Sequence, residues 1–258
     1  MGLQGRTIIE NPEIRQYQTT CWLLFGLALA AALLPICLYY DLVVANSVHY
    51  QVLPGDLRTI LSCAESFGHT YGVGLILLTI WLASAENRRK IQGLAGMLVA
   101  NCFVIFALKN SFMRIRPRGG QASQFESVWD TFVGVNPAVT QLDISKLGMS
   151  NLQSYPSGHT STAFILGVGL ALIFPKARYM FLLFSLLAAG QRIGYQAHYL
   201  SDVCVGAIVA LMMVCLFIQT PMGKRSFFGE PEVFPVVAEW PHKLSEQAQS
   251  EKKNVAAA

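Results

Sequence analysis

Charge is scarce in this sequence. Of 258 residues only 13% are Asp, Glu, Lys or Arg, while 53% are hydrophobic; soluble domains of similar apolar content carry about a quarter charged residues. The deficit excludes an ordinary water-soluble domain and points to a chain solvated by lipid. Nucleic acid is excluded as a partner as well, because the net charge is only +4 and the basic residues form short clusters between apolar runs, not a stripe. Cysteines are few and unpaired by spacing: Cys21, Cys37, Cys102, Cys204 and Cys215 lie in apolar runs and Cys63 in a polar loop. Neither a disulfide framework nor a CxxC metal site fits them, so they read as small buried hydrophobes, and no metal or other cofactor is expected. There is no internal repeat and no second soluble domain.

What is present is a series of six apolar runs: Cys21 to Val44, His69 to Ala85, Ile91 to Leu108, Thr160 to Phe174, Tyr179 to Gly190 and Ser201 to Gln219. The first is longer than a signal-peptide core and has no small-residue cleavage pattern, so it reads as a span. Pro35 is placed to kink it, and Asp41 falls near its far end. The expected fold is therefore all-α, an integral membrane bundle of six transmembrane helices within residues 1–220, followed by a polar tail, 221–258. That tail is expected to be loosely ordered or to lie on the membrane surface. Residues 45–67 read as a loop. The polar stretch from Lys109 to Tyr155 is the longest, and short interfacial helices acting as a lid or lipid entrance are expected within it.

Arg6, Arg15, Arg88 to Lys90, Lys176, Arg178, Lys224 and Arg225 all fall on one side of a six-span bundle. The positive-inside rule makes that side cytoplasmic, with both termini there. The other side collects Lys109, Arg116 and Arg192, cations that the rule does not favour outside. Span parity brings the end of span three, the start of span four and the turn between spans five and six to this same outer edge.

At that edge Pro156-Ser157-Gly158-His159 opens a helix. Alone, it is either an ordinary capped helix start or an anion site, since Ser caps, Gly admits a close backbone and helix N-termini attract phosphate. Lys109, Arg116 and Arg192 add fixed positive charge, the arginines as forks that match phosphate oxygens. His198 and Asp202 are four apart and share a helix face, so the carboxylate is placed to hold the imidazole in one tautomer. His198 reads as a nucleophile and His159 as an acid for the leaving oxygen. Arg114, Arg118 and Lys146 read as solvated loop charge. Glu65 and His69 read as a helix surface pair, Gly68/Gly72 and Gly190/Gly194 as close-packing sites, and Tyr195 and Tyr199 as interfacial aromatics.

Lys109 with Arg116-Pro117, then Pro156 to His159, then Arg192, His198 and Asp202, resembles the three-part signature of the type 2 phosphatidic acid phosphatase (PAP2) superfamily, over residues 109–202. One position departs: Gln191 stands where the family usually has Ser. The resemblance implies a metal-independent lipid phosphate phosphatase that works through a phosphohistidine. His198 would attack phosphorus, Asp202 would assist it and His159 would protonate the leaving group, while Lys109, Arg116, Ser157, Gly158 and Arg192 bind phosphate oxygens. The expected substrate is a lipid phosphate or diphosphate drawn from the bilayer: polyprenyl diphosphate, phosphatidic acid, phosphatidylglycerophosphate or lipid A. The expected setting is a bacterial inner membrane with the site facing outward. A lipid phosphotransferase, a vanadate-dependent haloperoxidase and a non-enzymatic lipid phosphate transporter or binding protein remain as alternatives.

Overall fold

In hydrocarbon, backbone N–H and C=O groups have no water to bond, so apolar runs of this length satisfy them internally as helices. A computed structural model of the chain describes residues 12–48, 50–119, 122–134 and 148–229. Its regular structure is α1 (Pro12–Ser47), α2 (Gly55–Ala64), α3 (Thr70–Ala83), α4 (Arg88–Ser111), α5 (Gly158–Ile173), α6 (Arg178–Gly194), α7 (Leu200–Phe217) and α8 (Pro221–Phe227). Short 3-10 turns join them, and no strand occurs among the described residues. The described residues are helical and carry no strand, in keeping with the all-α expectation.

Three helical segments are long and apolar enough to cross a bilayer: Pro12–Ser47, Ala85–Ser111 and Leu200–Phe217. The pair Gly55–Phe67 and Thr70–Ala83, bent by 67°, makes a fourth if the two are counted as one broken span. Helix α5 has only 16 residues and α6 only 17, roughly 24–26 Å at 1.5 Å per residue, against about 30 Å of hydrocarbon. Both lose apolar length where they reach a polar cluster at one end of the bundle. Residues 45–67, expected to be a loop, contain α2. At the other end of the chain, α8 occupies the first residues of the polar tail and buries Phe227 at 2% exposure. Residues 230–258, Arg6, Asn136-Pro137 and Lys146 lie outside the described residues.

Helix α5 is the innermost element. Ile165, Leu166 and Leu170 are fully buried, in one cluster with Leu94 of α4, Ala188 of α6 and Val214 of α7. Gly169 faces Leu94, and Gly206 of α7 lies against the Ser157 carbonyl, where a Cβ would come within 2.5 Å. The close approach of small residues lets backbones meet without a hydrophobic drive between helices. The outside carries Trp22, Phe25, Leu75, Phe103, Phe106 and Leu186, all strongly exposed, an apolar belt suited to lipid. The cysteines follow the same logic. Cys21, Cys63 and Cys102 are exposed and the other three half-buried, so they are not the core hydrophobes their apolar neighbours suggested.

One end of the bundle is tied by polar contacts: Arg15 Nη2 donates to the Leu172 carbonyl at 3.1 Å and Gln16 Nε2 to the Ile218 carbonyl at 3.2 Å. This is the end that carries Arg88 to Lys90. The start of α1, the start of α4 and the ends of α5 and α7 share it. The opposite ends of these helices meet at the polar cluster.

Candidate active site

Beyond α4, residues 113–116 run extended between two other segments. Arg114 N donates to Leu152 O (2.8 Å), Ile115 N to Thr131 O (2.9 Å), Arg116 N to Asn151 O (2.8 Å), and Ser154 N to Arg114 O (3.0 Å). Alternation along an extended run sends Arg114 and Arg116 to one side and Ile115 to the other. Ile115 packs with Leu152, Phe125 and Val133, which fixes the register and aims both arginines at the start of α7.

Arg116 reaches backbone carbonyls of two other segments. It donates from Nε to Ser150 O (2.8 Å), from Nη1 to Ala197 O (3.0 Å) and from Nη2 to Gln153 O (3.3 Å). Burial and the neighbouring Arg118 pull its guanidinium down to about 10, which leaves it charged at neutral pH. Lys109 Nζ donates to Gln153 O at 2.9 Å. Ser157 caps α5, its Oγ accepting from Thr160 N at 3.4 Å, while Ser157 N donates to Asp202 O at 3.0 Å. The N–H groups of Gly158 and His159 stand at the open end of the helix, where anions are favoured. Gly158 is tightly placed, since a Cβ there would sit 3.2 Å from Ile105 and 3.9 Å from Lys109 Cε. Lys109, Arg116, Ser157, Gly158 and His198 are thus brought to one place by four different segments.

His198 is 2% exposed. Its Nδ1 lies 2.6 Å from Ser154 O and 3.7 Å from Asp202 Oδ2. A carbonyl oxygen only accepts, so Nδ1 carries the proton and Nε2 keeps its lone pair. That nitrogen is 3.5 Å from Arg116 Nη1. Burial pushes the imidazole down to about 4, against the opposing pull of Asp202, so the ring is neutral at pH 7. The tautomer is held by the Ser154 carbonyl, not directly by Asp202 as the four-residue spacing suggested. Asp202 is engaged elsewhere: it accepts from Ser154 Oγ at 2.5 Å, from Tyr199 N at 2.9 Å and from Arg114.

Arg114 is the largest departure from expectation. Read in sequence as solvated loop charge, it is fully buried. It donates to Thr131 Oγ1 (2.8 Å), Ser201 Oγ (2.8 Å), Asp202 Oδ1 and Asp41 Oδ2 (2.7 Å). The Tyr199 ring lies 4.0 Å from its guanidinium carbon and Phe132 4.8 Å. Burial pulls its pKa down, and Asp202 and Asp41 more than reverse that, leaving it raised. Asp41, at the end of α1, also accepts from Ser201 N at 2.8 Å, so α1 is anchored to α7 beneath the site. Tyr199 is 1% exposed, an inward residue and not an interfacial one, whereas Tyr195 is 40% exposed.

Arg192 is 8% exposed at the end of α6. Its Nη2 donates to Glu65 Oε1 and its Nε to Gln191 Oε1, and Gln191 Nε2 donates to Glu65 Oε2 at 3.1 Å. Glu65 and His69 are therefore not a surface pair. The 67° bend between α2 and α3 carries both inward; the His69 ring is 5.7 Å from His159 and 5.4 Å from Tyr71. Gly68 permits this approach, because a Cβ there would stand 2.7 Å from the His159 carbonyl. Gly190 and Gly194 meet only ordinary contacts. Arg118 is exposed. No group of three or more His, Cys, Asp or Glu side chains placed to hold a metal ion occurs among the described residues.

This arrangement, two histidines and three cations around a helix N-terminus, sits inside a segment with a family match: the PAP2 superfamily model covers residues 90–226, more than half of the chain. The chain belongs to the PAP2 superfamily. Among solved structures, Aquifex aeolicus LpxE is similar to this PAP2 protein with a TM-score of 0.49 and 19% identity, over 66% of this chain and 90% of that one. No curated protein matches. The segment that identifies the chain as PAP2 leaves out Asp41, Glu65 and His69; Glu65 nonetheless reaches the signature residue Arg192 and His69 the signature residue His159, while Asp41 reaches Arg114 and Ser201 beside them. A signal existed for Asp41, a lone acid at the end of an apolar run. Ser154 had none, because its backbone oxygen does the work.

Proposed function

We propose that the protein is a membrane lipid phosphatase that removes a terminal phosphate from a lipid phosphate or diphosphate through a phosphohistidine on His198. The observation that carries this reading is the His198 tautomer. With Nδ1–H committed to Ser154 O at 2.6 Å, Nε2 keeps a lone pair that takes one long contact from Arg116 Nη1 at 3.5 Å, and a phosphate bound by that guanidinium draws the contact away and stands in line with Nε2.

Nε2 attacks phosphorus; the bond to the lipid oxygen breaks as the P–N bond forms, and His159, which takes up a proton as the anionic phosphate settles among the cations, gives it to the leaving oxygen. Water then attacks the phosphohistidine, its proton passing to His159 while phosphate leaves Nε2, which restores both histidines. Lys109, Arg116, Arg192 and the Ser157-Gly158 helix start neutralise the equatorial oxygens. Catalysis rests on positioning and charge, as phosphoryl transfer generally does. Asp202 acts through Ser154 and through the Arg114 network. The reading places six traverses in the bilayer, with the basic clusters and residues 221–258 on the cytoplasmic side and the site facing the outer leaflet, where lipid enters sideways between helices.

Phosphate release by the purified protein against a panel of polyprenyl diphosphate, phosphatidic acid, phosphatidylglycerophosphate and lipid A tests this directly. Wild type should release phosphate from at least one, and His198→Asn should release none while still binding that lipid. Hydrolysis retained in His198→Asn would refute the mechanism. A phosphorylated lipid acceptor in place of free phosphate would move the assignment to a phosphotransferase.

A further inference from the structure

Glu65 stands where a phosphate oxygen is expected to stand. It takes a hydrogen bond from Arg192 with one carboxylate oxygen and from Gln191 with the other, while Gln191 takes one from Arg192 Nε. The three side chains close a ring. A phosphate presents a pair of acceptors to the Nε and Nη2 edge of a guanidinium fork; on Arg192 that edge is held by Gln191 at Nε and by Glu65 at Nη2, so a phosphate and the Glu65 carboxylate compete for it. The Arg192 side chain is 10% exposed and that of Glu65 35%, which makes the carboxylate the partner able to withdraw. The ring also accounts for Gln191. A serine hydroxyl at that position is too short to bond Glu65 while accepting from Arg192, so the departure from the family pattern and the carboxylate belong together.

We propose that Glu65 is an internal competitor for Arg192 that weakens the hold of the site on any phosphate. Only a phosphate with additional binding energy from a lipid tail then occupies the site appreciably, and the inorganic phosphate product is expelled. The identity of the ligand rests on the phosphatase reading above. A purely structural role for Glu65, holding Arg192 in place, predicts the opposite sign, since its loss would then weaken phosphate binding.

Binding of inorganic phosphate and of orthovanadate to the full chain in detergent, measured by titration calorimetry, separates the two. Glu65→Gln should bind both anions about fivefold more tightly, the upper end for one partly exposed ion pair, and the inhibition constant of phosphate against lipid phosphate turnover should fall by the same factor. Should Glu65→Gln fail to fold, Gln191→Ser, which leaves Glu65 with one donor fewer, should tighten binding by a smaller factor. Unchanged or weaker anion binding in the variant that folds overturns the proposal. If wild type turns over lipid phosphate and the variant shows no tightening, the competitor fails and the phosphatase reading stands. If wild type binds both anions and Glu65→Gln tightens them but no lipid phosphate is hydrolysed, the competitor stands and the phosphatase reading fails.

Discussion

Replacing Arg114 with Met tests the buried ion network at its centre. The substitution keeps an unbranched apolar stem, two atoms shorter, and removes donors to Thr131, Ser201, Asp202 and Asp41, all of them fully buried. Two carboxylates are then left without a cation. Breaking a buried pair by deleting one partner costs about 3–5 kcal/mol. An independent bound comes from the alternative open to an orphaned carboxylate, which is to take up a proton: from an ordinary value near 3.9 to pH 7 this costs about 4 kcal/mol. The two routes agree. For a chain of this size each kcal/mol moves the melting point by about 2–4 °C, so Arg114→Met should melt on the order of 10 °C lower. Thermal unfolding in detergent, followed by tryptophan fluorescence, measures the shift. Adding Asp41→Asn should recover part of the loss, because it removes one of the two orphaned charges, although Asp41→Asn alone is destabilising. Melting of Arg114→Met within about 2 °C of wild type, or simple additivity of the two substitutions, would refute the reasoning.

The imidazole of His198, identified in NMR by its loss in His198→Asn, should titrate near pH 4 and not near the ordinary value of about 6.5. Because the folded protein then binds fewer protons than the unfolded chain between these values, stability should fall as pH drops through that window; a titration at 6.5 would contradict the burial argument. Ser154→Ala keeps the carbonyl that accepts from Nδ1 and loses only the hydroxyl on Asp202, so phosphate release should drop by about tenfold, the worth of one charge-assisted bond, and not vanish. Arg116→Lys replaces a fork that spans Ser150, Ala197 and Gln153 by a point charge, and should raise KM for lipid phosphate by about tenfold or more. Turnover should persist in EDTA and be inhibited by vanadate; strict dependence on magnesium would contradict the proposed chemistry.

The expectation that one end of the bundle is polar comes from counting six apolar runs and from the placement of the basic clusters. The meeting of Lys109, Ser157 and Arg192 to Asp202 follows from that count, and the contacts of Lys109 and Arg116 with residues 150–153 and 197–198 agree with it. Sequence alone makes Arg114 a solvated loop charge, because loop arginines usually are; what buries it is the extended run at 113–116, whose alternation gives it the inward side that Arg116 also takes. Glu65 and His69 were misread because four-residue spacing describes a straight helix, whereas the chain bends by 67° at Gly68. Asp202 was read as the direct partner of His198 on spacing. No pattern of side chains announces that a backbone carbonyl from a distant loop reaches the imidazole first.

The ion pair beneath the site has a consequence for how the protein is made. Asp41 is 73 residues upstream of Arg114 and 160 upstream of Ser201, and chains emerge from the ribosome N-terminal end first. The carboxylate therefore reaches the membrane edge long before either partner exists, and it must wait neutral or in contact with water until α7 arrives. The proposed phosphate site closes last. A nascent chain halted before α7 is inserted carries the first signature residues but no assembled site, so phosphatase activity should appear only when insertion of the seventh helix is complete.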